Sequence, residues 1–213
     1  MKIFDITPPI TPRLGVWPGD TPPERQVLLN IAKGDNVTLS SLRATVHLGA
    51  HADGPSHYGV QAPGIEHFGL DRYLGKCQIV RVAAPRGSRI TSSQVLDGIC
   101  AERVLFATET FPNPEQWNTD FAALAPELVD RLNDRGVRLV GIDTPSVDLM
   151  DDKQLLAHQR FLAHDMAILE GLVLREVPIG LYELIALPLP LIGFDASPVR
   201  AILRELRPGN NAP

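Results

Sequence analysis

The sequence predicts a single α/β domain over residues 1–213, with a β-sheet-rich core flanked by short helices. Three observations carry that expectation. Apolar runs of strand length at 78–82, 103–108, 137–142 and 180–187 are bounded by turn residues. Segments of helical periodicity, notably 127–133 and 155–162, stand between them. The length suffices for one sizeable core, and neither an internal repeat nor a shift in composition marks a boundary.

Residues 1–5 read as a short strand, and 7–24 as a proline-rich loop. Within that loop Pro18-Gly19 signals a turn that holds Trp17 at a fixed orientation. Trp17 then suits packing on the domain, a subunit contact, or the wall of a pocket for a flat substrate. Residues 27–31 and 38–46 read as strands joined across Lys33-Gly34-Asp35-Asn36, the second running straight into His47. Thr91-Ser92-Ser93-Gln94 has the capping-box pattern and opens a short helix ending near Cys100. The long loop at 109–125 contains Pro112, Asn113, Pro114 and Trp117 but no motif with an assignable chemistry. Pro126 starts a helix amphipathic through Leu128, Val129 and Leu132, with Gly136 just past its end.

The strand at 137–142 delivers Asp143-Thr144-Pro145-Ser146-Val147-Asp148 to a loop, and Asp151 or Asp152 caps the next helix. There the i, i+3, i+7 spacing of Leu155, His158 and Leu162 puts His158 on the apolar face beside Phe161. His164 is expected to be solvent-exposed and favourable to the helix dipole. Residues 167–172 enclose Glu170 in an apolar run, where an isolated charge is very costly and needs a partner. Beyond Asp195 both a helix start at Ser197-Pro198 and a strand at 199–206 remain open.

Hydrophobic content of 44% and charged content of 21% fit a soluble globular protein. A net charge of −5 offers no basic footprint, which argues against nucleic acid as a partner. Nothing at the N-terminus resembles a signal peptide, and the apolar stretch 184–194, interrupted by Pro188 and Pro190, is too short to span a bilayer. The expectation is a cytoplasmic protein with no membrane partner. Cys77 and Cys100 lie in apolar surroundings as small core residues, outside any paired metal or redox motif.

The chemistry concentrates in twelve residues, His47-Leu48-Gly49-Ala50-His51-Ala52-Asp53-Gly54-Pro55-Ser56-His57-Tyr58. His47, His51, Asp53 and His57 share one parity, so an extended chain aims the first three the same way. Four extended residues span roughly 13 Å, too far for two imidazoles to reach one ion at about 2 Å each. The chain must therefore bend near Gly49. Two imidazoles and a carboxylate then suit zinc or a similar divalent ion, while His57, beyond the Gly54-Pro55 break, is better placed as a general acid or base. His158 and Glu170 each need a partner that this motif can supply, although a core histidine and a structural ion pair are the plainer readings.

These residues resemble the signature of the metal-dependent cyclase family, H-x-G-T-H-x-D-x-P-x-H. Ala50 stands where threonine is usual, and G-A-H-A-D resembles the bacterial kynurenine formamidase branch. The resemblance extends to Trp17-Pro18-Gly19-Asp20, Ile142-Asp143-Thr144-Pro145-Ser146, and His158 followed by Ile168-Leu169-Glu170. It implies a cyclase-like swivelling β/β/α fold, a homodimer, and a centre of two zinc ions per chain, with manganese as the other candidate metal. His47 and His51 would bind one ion and His158 the other, Asp53 and Glu170 contributing to both. His57 would be the acid/base residue and Trp17 an aromatic substrate contact. The implied reaction is hydrolysis of N-formyl-L-kynurenine to L-kynurenine and formate, a step of tryptophan catabolism, by metal-activated water. No G-x-S-x-G elbow offers a serine nucleophile instead. Two rival readings are an isatin-hydrolase-like enzyme acting on a cyclic aryl amide, and a non-catalytic domain that uses metal for structure or binding.

Overall fold

The structure, a computed structural model, describes residues 1–95 and 97–206. Its strands are β1 (Ile3–Asp5), β2 (Glu24–Leu29), β3 (Leu39–Arg43), β4 (His51–Asp53), β5 (Leu74–Arg81), β6 (Arg89–Ile90), β7 (Arg103–Ala107), β8 (Ala123–Leu124), β9 (Leu139–Ile142), β10 (Ala167–Glu170), β11 (Gly180–Ile185), β12 (Ala196–Pro198) and β13 (Ile202–Glu205). The α-helices are α1 (Ser92–Val95), α2 (Pro126–Asp134) and α3 (Leu156–Ala163). Nine strands form one sheet in the order β1-β13-β11-β5-β7-β9-β10-β4-β12. Its centre, β5-β7-β9-β10, is parallel, and antiparallel pairs extend it on both sides. This is the mixed α/β single domain that the sequence predicts.

Strands β7, β9 and β10 are buried throughout, which explains why they read as continuous apolar runs. Alternation divides their side chains between two cores. Leu105, Leu139 and Leu169 enter one. Phe106, Val140 and Ile168 enter the other, beneath Leu128 and Leu132 of α2 and Ala157 and Phe161 of α3. No helix among the described residues is long and apolar enough to cross a membrane.

Several local expectations are corrected. Strand β3 ends at Arg43, opposite the first residue of β2; beyond it the Thr45 N–H donates to the Thr21 carbonyl at 3.0 Å, but the β2–β3 ladder has ended and His47 lies in a loop. The helix expected to reach Cys100 stops at Val95: Gly98 has φ 92°, and Gln78 Oε1 accepts the Cys100 N–H at 2.9 Å. Cys100 is exposed; Cys77 is buried as expected. Asp152 caps α3 as expected, accepting the N–H groups of Gln154, Leu155 and, at 3.2 Å, Leu156, the first residue of the helix, but Asp148 shares the work by taking those of Ala157 and His158, both at 3.0 Å. His164 is half-buried and bonds Asp130 of α2 at 2.7 Å, tying the two helices together. The open segment after residue 199 is strand β13, while the rest of that tail, 207–213, lies outside the described residues.

The expected bend at Gly49 is present, with φ 58°. It is packed against Gly171, φ 65°, just past the end of β10. A Cβ on Gly171 would stand 2.2 Å from the Gly49 carbonyl oxygen, so this close approach requires a glycine at 171. Gly171→Ala should therefore destabilise the protein by at least about 1 kcal/mol. A lowered urea midpoint at unchanged m-value would register this, whereas an unchanged midpoint would show that the backbone there accommodates a methyl group.

Candidate metal centre

Sheet register assembles the centre. In the β4–β10 pair His51 stands opposite Glu170 and Asp53 opposite Ile168. Ala52 and Leu169 enter the core on one side of the sheet, so alternation sends His51, Asp53 and Glu170 to the side covered by α3. His158 descends from the buried face of α3. The bend at Gly49 brings the His47 ring centroid within 4.9 Å of that of His51. His57 follows on a single 3-10 turn, Pro55–His57, with its ring centroid 4.2 Å from that of His47. All six polar residues singled out in the sequence thus meet.

Asp53 divides the group in two. Its Oδ1 lies 3.2 Å from His47 Nδ1 and 3.5 Å from His51 Nε2, while its Oδ2 lies 3.4 Å from His158 Nε2. Glu170 divides likewise, with Oε2 at 3.4 Å from His51 Nε2 and Oε1 at 3.6 Å from His158 Nε2. His51 Nε2, His158 Nε2 and both Asp53 oxygens are buried without a hydrogen-bond partner. Four such atoms in one place call for a cation, because buried polar groups otherwise find partners. The separations also fit. Tetrahedral zinc with ligands at about 2.0–2.1 Å has ligand–ligand edges of roughly 3.3 Å. His47, His51 and Asp53 come close enough to hold one ion, His158 faces the other oxygen of Asp53, and Glu170 reaches towards both His51 and His158. His57 is exposed, and its ring nitrogens come within 4.8 Å of ligand atoms both of Asp53 and His158 and of His47 and Asp195.

Each inner imidazole is oriented from behind. His51 Nδ1–H donates to the Gly49 carbonyl at 2.8 Å, and His158 Nδ1–H donates to Asp148 at 2.8 Å. Both leave Nε2 as the nitrogen that faces inward and could bind an ion, the usual backing of a metal-binding histidine. Asp148 is itself paired with Arg89 at 2.8 Å. Burial opposes a charge on His47, but Asp53 and Asp195 outweigh it and raise its pKa to about 9. His158 behaves alike: burial lowers it, while Asp148 and Asp53 raise it to about 10. His57 moves down instead, chiefly through desolvation.

Beside these groups lies a cavity of about 520 Å³, a size suited to a small organic ligand. Trp17 lines it, as do Phe111 and Trp117 from the long loop after β7. The rings of Trp17 and Trp117 meet edge to face at 5.5 Å, and those of Phe111 and Trp117 do the same. Gly15 N–H donates to the Pro114 carbonyl at 2.8 Å and Arg13 pairs with Glu115, so the two loops form one wall. Sequence reasoning did not assign Phe111, Trp117, Asp148 or Asp195 to the site. Trp117 stands in a loop too long to be idle, which was the available signal.

The Cyclase family model ("Putative cyclase") matches residues 4–149. Among solved structures, a "potential metal-dependent hydrolase with cyclase activity" is 27% identical, with a TM-score of 0.84 over 97% of this chain and 99% of that one. A "predicted metal-dependent hydrolase" from Bacillus stearothermophilus is 28% identical, TM-score 0.78, over 95% and 97%. Isatin hydrolase A from Labrenzia aggregata, bound to benzyl benzoate, is 21% identical, TM-score 0.83, over 97% and 94%; at that identity the likeness is one of fold.

The electrostatics make metal uptake a proton exchange. With pKa values raised to about 9 and about 10, His47 and His158 are protonated at pH 7 in the metal-free protein, and each must lose its proton to become a ligand. Zinc titration at pH 7 should therefore release about two protons per chain, measured calorimetrically in buffers of different ionisation enthalpy. Apparent affinity should climb as pH rises towards 9. Uptake with no proton release would remove this electrostatic picture.

Proposed function

Since the chain belongs to the Cyclase family, we propose that it is a metal-dependent hydrolase that cleaves N-formyl-L-kynurenine to L-kynurenine and formate. The observation that carries the hydrolase reading is the cluster of buried, unpartnered ligand atoms facing a cavity large enough for substrate. A purely structural metal site is closed, and this one borders an open pocket. The two likenesses at 27% and 28% identity support the same class of chemistry. The substrate rests on the G-A-H-A-D sequence and on an aromatic wall suited to a flat ring.

In this reading His47 and His51 would hold one ion and His158 the other, with Asp53 and Glu170 contributing to both; zinc is the proposed metal. Divalent ions there supply Lewis-acid polarisation of the formyl carbonyl and acidify water. The protein's own groups do the remaining work. Trp17, with Trp117 behind it, stacks on the aryl ring and orients the formamide towards the histidines. His57 takes a proton from the attacking water and returns it to the departing arylamine nitrogen. Its lowered pKa keeps it neutral near pH 7, as a base requires. The aryl ring delocalises the nitrogen lone pair and eases its departure.

We also propose a homodimer. Strands β2 and β3 form a separate two-stranded ribbon, with Val27, Leu28, Leu39 and Leu42 all at least 47% exposed. Such a ribbon is marginal alone and gains stability by packing on a partner.

Three measurements test the assignment. Metal-loaded protein should hydrolyse N-formyl-L-kynurenine with a higher kcat/KM than isatin or aliphatic formamides, followed by kynurenine absorbance. Efficient opening of isatin with no action on the formamide would make it a lactam hydrolase instead. His57→Ala should keep its metal and lose on the order of a hundredfold in turnover, while His51→Ala should lose metal. If His57→Ala also empties the site, His57 is a ligand and the proton carrier lies elsewhere.

A further inference from the structure

Two inner histidines are backed by groups already described, His51 by the Gly49 carbonyl and His158 by Asp148. His47 is backed from a distant part of the chain. Its Nε2 lies 3.0 Å from Asp195 Oδ2, across 148 residues of sequence. With Asp195 on that nitrogen, Nε2 can keep its proton while Nδ1, which faces Asp53 Oδ1 at 3.2 Å, gives its own up to an ion. The same Asp195 oxygen is 3.7 Å from His57 Nδ1, so one carboxylate stands beside both a proposed ligand and the proposed acid/base residue.

The placement of Asp195 does not depend on its side chain. Its carbonyl accepts the Gly54 N–H at 2.8 Å, and the preceding Phe194 carbonyl accepts the Ile65 N–H at 2.8 Å. The next residues form β12, with Ala196 opposite Asp53 and Pro198 opposite His51. Backbone pairing with the metal motif itself therefore carries Asp195 to the rim of the centre. Its side chain is half-exposed, and its other titratable neighbour is His57.

We propose that Asp195 is a positioning residue of the metal centre, which holds His47 by its Nε2–H so that Nδ1 is presented to the ion shared with His51 and Asp53. The inference rests on the metal reading above. It adds a residue that neither the signature motif nor the family match, which ends at residue 149, contains.

The test uses full-length protein stripped of metal and titrated with zinc against a chromophoric chelator. Asp195→Ala should weaken one of the two zinc-binding steps by about 10–100-fold, the usual effect of removing such a backing group. Asp195→Asn keeps an acceptor oxygen and should recover most of that loss. In a His47→Ala background, Asp195→Ala should change zinc affinity no further, because its effect passes through His47. The melting temperature of the metal-free Asp195→Ala protein should stay near that of the parent, since the backbone anchors remain. Unchanged zinc affinity in Asp195→Ala would overturn the inference while leaving the metal centre intact. An equal loss in the Ala and Asn variants with a fall in metal-free stability would also overturn it, in favour of a role in folding. Parent protein that takes up no zinc would sink the metal reading itself, and the inference with it.

Discussion

A carboxylate with no exposed surface and neither oxygen hydrogen-bonded is the constraint around which this molecule is built. Asp53 sits in β4 between β10 and β12, at 0% exposure. An isolated charge in such a place is prohibitive, and what surrounds it is cation-like on every side: His47 and His51 towards one oxygen, His158 towards the other. Its pKa is held well below the ordinary carboxylate value, because three imidazoles outweigh the burial that pushes it up. In the metal-free protein the protons on His47 and His158 meet the charge. Metal ions would meet it better, reaching both oxygens and Glu170 together.

Much of this was legible in the chain because the informative signals are local. The spacing of His47, His51 and Asp53, with the need for a bend at Gly49, required only the geometry of an extended chain. His158 and Glu170 announced themselves as polar groups where the periodicity wanted apolar ones. Long-range pairings were not legible. That His51 faces Glu170 depends on a register set between segments more than a hundred residues apart, and Asp195 gave no signal because its meaning lies entirely in where β12 docks. Errors of extent have the same origin. The expected continuation of β3 into His47 failed because β2 offers no further partner, and Cys100 reached the surface where Gln78 and Gly98 turn the chain outward.

The cavity wall illustrates the division between scaffold and loops. Apart from His47, which lies in the loop before β4, the histidines and carboxylates of the cluster stand on strands, a helix and one tight turn, elements that hold a few tenths of an ångström. Trp17, Phe111 and Trp117 stand on two proline-bearing loops stitched together by Gly15, Pro114, Arg13 and Glu115. Ion-binding groups are thus fixed by the sheet, while the surface that meets the organic part of a ligand belongs to segments free to change without disturbing it.

The docking of β12 beside β4 has a consequence in time. A chain emerging from the ribosome presents His47, His51 and Asp53 long before the segment that covers them has been synthesised. Through most of translation the exposed cluster is flexible, open to solvent on the side later occupied by Ser197, and without Glu170 or His158 to complete it. Ions caught at that stage would meet only a partial ligand set and exchange freely with cellular chelators. A complete ligand set exists only once β10 and β12 have paired with β4, so any retention of an ion would depend on closure of the sheet.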